Sequence, residues 1–198
     1  MRTPHLQLSY GQVAWTLSLG MQPSVQLLDQ LNYLRQLGVP FDADERQTGR
    51  GNRLIYRYYE LVDCGVGLYA IRHGMKPIDF TRLFVEKRKL MRRSYRDALR
   101  DQPDGALSAS WIRTRGKVVP VIAGEIWLRL HDRYSEAPGK IEIRGMDDPN
   151  PPSGSTLFDF VERYPGEPTR GLVPLTRLAL QWIAWALEAP ETRTGPRA

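Results

Sequence analysis

The chain has 198 residues, of which 41% are hydrophobic, 25% charged and 10% aromatic, the balance of a folded globular protein and not of a disordered one. Its 28 Lys and Arg against 22 Asp and Glu leave a formal net charge of +6, which favours a polyanionic partner without naming one. The single cysteine, Cys64, excludes an intrachain disulfide and a cysteine-rich metal cage; residues 1–11 have no apolar signal core and no apolar run nears the roughly 20 residues of a membrane helix, so the chain reads as cytoplasmic with no membrane partner.

Gly11 to Leu19 reads as a short helix with Val13, Ala14 and Leu17 on one apolar stripe. Gly20-Met21-Gln22 breaks it, and Pro23 suits the first turn of a second helix, where its missing N–H costs nothing. Val25, Leu27, Leu28, Leu31, Leu34 and Leu37 supply the apolar side of that helix, and Gly38 with Pro40 ends it. Asp42 to Thr48 is a polar connection. Thr48-Gly49-Arg50-Gly51-Asn52 is a turn signal followed by the strand-like Arg53 to Tyr58, together predicting a small hairpin tipped by Arg50. Glu60 to His73 returns to helical spacing, and Gly74 stops it. A long helix runs from near Pro77 to about Asp101, long enough to protrude beyond the core on which it starts.

Gln102-Pro103-Asp104-Gly105 is the linker candidate. Residues 111–122, 125–131 and 140–144 carry strand-like alternation, and 147–155 is a Pro/Gly loop. The last helix, from near Pro174 to about Glu188, is apolar over more than half its circumference, so it must be covered on more than one side, either within its own domain or by a second subunit. The expected architecture is α+β: a winged helix-turn-helix with a long following helix over 1–102, a domain of antiparallel strands and one apolar helix over 106–190 for oligomerisation or effector binding, and a polar tail over 191–198.

Residues 1–105 hold 16 basic against 11 acidic side chains, so nearly all of the excess charge lies there. It gathers at Arg46, Arg50, Arg53 and Arg57, and again between Arg82 and Arg100. The second run reads in three ways: a flank to a duplex, the outer face of a dimer helix, or simple solvation. Leu83, Leu90, Met91 and Tyr95 make the dimer helix plausible.

Several short motifs carry a resemblance. Tyr10-Gly11-Gln12-Val13-Ala14, Gln22-Pro23-Ser24-Val25-Gln26, Leu37-Gly38-Val39, Gly51 through Tyr56 to Glu60-Leu61, and Gly74-Met75-Lys76-Pro77 stand in order along the chain. Together they resemble the winged helix-turn-helix domain of the MerR family of transcription regulators, over about 8–100. The second helix is longer than is usual in that family, and Leu54 stands where its wing arginine falls. The resemblance implies double-stranded DNA as partner, a homodimer, RNA polymerase or another protein as a further contact, and a bacterial or phage setting.

Physical chemistry points the same way. A helix fits the major groove, and its N-terminal residues usually meet base edges. Gln22, Ser24 and Gln26 suit adenine edges and phosphates, Gln30 and Arg35 lie further along, and Arg46, Arg50, Arg53 and Arg57 suit the backbone or minor groove. Helix capping and solvation are the competing readings for each. No phosphate loop, zinc-protease, CxxC or serine-hydrolase motif occurs. His5, His73 and His131 are isolated, and Asp147-Asp148 reads as turn chemistry. The expectation is a DNA-binding protein, not an enzyme, with no metal and no cofactor. A DNA-architecture factor for recombination, phage or plasmid functions is the first alternative. A ligand- or protein-binding module with incidental charge is the second.

Overall fold

The computed structural model describes residues 2–46, 54–100, 102, 112–114, 117–119, 126–129, 143–145 and 172–191. In chain order its helices are α1 (Tyr10–Leu17), α2 (Val25–Gln36), a single turn α3 (Ala43–Arg46), α4 (Tyr58–Arg72), α5 (Pro77–Arg100) and α6 (Leu175–Leu187). Short strand segments pair locally: β1 (Ile112–Thr114) with β2 (Lys117–Val119), and β3 (Ile126–Arg129) with β4 (Ile143–Gly145) and β5 (Leu172–Pro174). Among the described residues none exceeds four residues.

The described structure is therefore mostly helical, which corrects the expected α+β architecture. The physical reason lies in α6. Its apolar circumference is covered mainly by other helices, α1, α4 and α5, with strand β3 also against it. Leu175, Ala179, Leu180, Trp182 and Ile183 lie in one hydrophobic core with Val13, Leu31, Leu61, Phe84 and Tyr95. The linker candidate at 103–105, the Pro/Gly loop at 147–155 and the tail beyond 191 lie outside the described residues.

Local chemistry explains the starts of several helices. Ser9 and Gln12 form a reciprocal capping box at α1: the Gln12 N–H donates to Ser9 Oγ at 3.3 Å and the Ser9 N–H to Gln12 Oε1 at 2.8 Å. Gln12 Nε2 also donates to the Pro190 carbonyl at 3.1 Å, fastening the first helix to the chain beyond the last one. Asp42 and Glu45 cap α3 in the same reciprocal way, and Glu60 accepts from the Arg57 N–H at the start of α4. Ahead of α1, Leu8 and Tyr56 exchange two backbone hydrogen bonds of 2.9 Å in an isolated antiparallel bridge.

The long helix α5 does not protrude. Its distal residues Tyr95, Ala98 and Leu99 are buried, as are Phe80, Phe84 and Met91 nearer its start. Leu83, Met91 and Tyr95 thus belong to the core of this chain, and only Leu90 of the expected dimer set is exposed.

Two tryptophans of α6 set the closest approaches. The ring of Trp182 lies over Gly65 in α4, where an added Cβ would sit 2.5–2.7 Å from three ring carbons. The ring of Trp185 covers Gly20, which has φ +76°, and meets Trp15 edge-on at a centroid distance of 5.6 Å. Gly65→Ala is therefore expected to destabilise the protein by about 1–3 kcal/mol through overpacking, and Trp182→Ala by about 3–5 kcal/mol through cavity formation. The double variant should cost less than the two singles added, because removing the indole frees the space that the methyl needs. Urea unfolding midpoints of the four proteins check this; strict additivity would place the two residues out of contact.

Candidate nucleic-acid interface

α1 and α2 are joined by residues 18–24, which turn tightly at Leu19 (φ +55°) and Gly20. Ser24 caps α2, its Oγ accepting from the Leu27 N–H at 3.2 Å, a contact worth about 1 kcal/mol. One side of α2 enters the core through Leu27, Leu31 and Leu34. The opposite side presents Gln22 just ahead of the helix, then Val25, Gln26, Asp29 and Tyr33, all exposed. This face has a single charge, that of Asp29.

The expected site residues fall into three groups. Gln22, Ser24 and Gln26 come together at the start of α2, all exposed, with the Ser24 hydroxyl engaged in its cap. Gln30 is half-buried. Arg35 turns toward α1, its guanidinium 4.8 Å from the centre of the Tyr10 ring, and the Tyr10 hydroxyl donates to Asn32 Oδ1 at 2.9 Å. Arg35 thus buttresses the junction of α1 and α2. Arg57 is exposed immediately before α4. Arg46 ends α3, with its side chain outside the described residues, and Arg50 and Arg53 lie outside them altogether.

Two exposed apolar side chains escaped the sequence reading. Val25, expected in the apolar stripe, is 75% exposed, and Met21 beside it is 65% exposed. At 100° per residue Val25 sits about 120° from Leu31, outside the buried arc. That angle was the available signal.

The basic run of α5 divides. Arg88 turns inward, donating to the Pro40 carbonyl at 2.8 Å and to Glu45 at 3.0 Å, and ties the connection after α2 to α5. Arg92 also turns inward, with Nη2 2.7 Å from Asp63 Oδ2 and 2.9 Å from Glu60 Oε1. Asp63 is fully buried among Arg92, Glu60 and Tyr95. Burial pushes its carboxyl up to about 7, against the pull of the Arg92 guanidinium. Cys64, next to it, is buried and its thiol is held well above the ordinary range by desolvation, the setting of a small hydrophobe. Among the described residues no cluster of His, Cys, Asp and Glu could hold a metal ion, and no helix is long and apolar enough to cross a membrane. Asp147 and Asp148 lie outside those residues.

Comparison with protein-family models, with curated proteins and with solved structures finds no match to this chain.

The buried carboxyl has a consequence for stability. Because Asp63 holds its proton more tightly folded than unfolded, its contribution is greatest at low pH and is lost as pH rises from its ordinary value of 3.8 toward about 7. The stability of the wild type relative to Asp63→Asn should therefore fall between about pH 4 and about pH 7, by a few kcal/mol at most. Urea unfolding of both proteins across that range measures it. A constant difference would mean that Asp63 is ionised throughout.

Proposed function

We propose that this protein binds double-stranded DNA with sequence preference, through the exposed N-terminal face of α2. One observation carries the reading: a helix seated in a core by Leu27, Leu31 and Leu34 turns outward a nearly uncharged row that begins with Gln22, Val25 and Gln26. Amide side chains match the paired donor and acceptor on the major-groove edge of adenine, and an exposed valine matches the thymine methyl. The connection of residues 18–24 between α1 and α2 is longer than the usual helix-turn-helix turn, and the resemblance of about 8–100 to MerR-type domains is what favours that motif. Arg57 and the basic residues at 46, 50 and 53 would serve the phosphates, which position a reader without specifying its site. Asp29 on the same face disfavours close phosphate approach there, so the centre of the contact belongs at the first turn.

Two copies on repeated half-sites is the arrangement that this reading favours, with control of transcription as its purpose. Selection of bound duplexes from a random pool at moderate salt tests it. An enriched sequence, palindromic if two copies bind together, is expected; a bound pool indistinguishable from the input would contradict it. Gln26→Ala should then lose about 1–3 kcal/mol on the selected site through one or two base positions, with little change on random duplex. An equal loss on every sequence would remove α2 from the major groove.

A further inference from the structure

The inward turn of Arg88 and Arg92 leaves the other cations of α5 in a pattern that the sequence alone does not display. Arg82, Lys89, Arg93, Arg96 and Arg100 are all exposed. At 100° per residue they fall within about 60° of one another, so they form one line along the outside of the helix. Arg93, Arg96 and Arg100 are 70%, 61% and 68% exposed. From the first to the last the line runs about 27 Å at 1.5 Å per residue. Two carboxylates adjoin it. Glu86 pairs with Lys87, and Asp97 lies 3.3 Å from Arg100 and 4.0 Å from both Arg93 and Arg96. Five cations against these two leave a surplus of positive charge facing solvent.

We infer that this line is a second nucleic-acid contact, a track for duplex phosphates separate from α2. It rests on the DNA-binding reading above and adds a surface to it. A length of about 27 Å matches about eight base pairs at 3.4 Å each, a stretch dense in phosphate charge. A second copy of the chain does not fit the line. An antiparallel pairing of two α5 helices about Met91 would set Arg82 against Arg100 and Lys89 against Arg93, cation against cation, with only Glu86 against Arg96 to offset them. A lipid surface fits no better, because a helix lying in a membrane interface buries a free apolar face. The apolar face of α5, with Phe80, Phe84, Met91, Tyr95 and Leu99, is already in the core, and the exposed Ile78, Val85 and Leu90 are too few to make another. A phosphate backbone asks only for exposed cations in a row.

The test titrates the full-length protein against a labelled mixed-sequence duplex, by anisotropy, between about 50 and about 200 mM salt. The variant K89Q/R93Q/R96Q should bind roughly tenfold or more weakly at the low-salt end, and its plot of log affinity against log salt should be shallower by about 1–3. Asp97→Asn, which removes an adjoining negative charge, should tighten binding. The control R72Q/K76Q removes two exposed charges away from the line and should leave the slope unchanged. An unchanged slope in the triple variant overturns the inference, as does an equal loss in the control. It is equally overturned if the triple variant loses only self-association, or only binding to anionic phospholipid vesicles. The two readings fail separately. Loss of slope in the triple variant with no enriched sequence for the wild type would sink base reading by α2 and leave the track. An enriched sequence sensitive to Gln26→Ala, with an unchanged slope in the triple variant, would do the reverse.

Discussion

The described structure depends on the seating of α6 against the first half of the chain. Trp182 and Trp185 press against Gly65 and Gly20, positions at which any side chain would collide with an indole. Gly20 is also the hinge of the α1–α2 turn, and its positive φ suits glycine. The same indole therefore covers the turn and limits what can occupy it. Gln12 adds a polar tie to the carbonyl of Pro190. The angle at which α2 leaves the core is thus set partly by residues more than 150 positions away in sequence.

That arrangement sorts the charges. Side chains with acidic partners across the fold turn inward: Arg88 to Glu45, and Arg92 to Asp63 and Glu60. A buried pair of this kind is a weak source of net stability, yet breaking it is expensive because it strands a charge. These pairs hold α5 against α4 and against the connection after α2. The cations that remain, from Arg82 to Arg100, face solvent in a line. The outer face of α2 stays almost neutral. On the proposed reading the cations would serve phosphates and the neutral groups bases, the division of labour that sequence recognition requires.

The helices were largely legible in the sequence because their ends carry local signals. Gly20, Gly38 and Gly74 have positive φ at the stops, and Ser24 caps α2 as a serine before an apolar run should. The breadth of the apolar arc on α6 correctly required burial on several sides, but periodicity does not say which neighbours supply the cover. That gap produced the α+β expectation. Alternating apolar residues suggested a domain of antiparallel strands with one apolar helix, whereas in the described residues that helix packs chiefly among α1, α4 and α5, with β3 also in contact. The charge run of α5 could not be divided for a related reason. The partners of Arg88 and Arg92 lie 43 and 29 residues away, so composition could not separate a buttress from a contact. For the candidate site, residue types at the start of α2 were readable. The exposure of Val25 and the engagement of Arg35 with Tyr10 needed the fold.

The central claim is that a duplex meets this protein along the first turn of α2 and the outer line of α5, with α6 serving as support behind them. Amide hydrogen exchange of the full chain, with and without a bound duplex, tests it most directly. Slower exchange is predicted at residues 22–28 and along 82–100, with α6 unchanged by the ligand. Slowing confined to α6, or absent from both predicted segments while the duplex is demonstrably bound, would contradict the account.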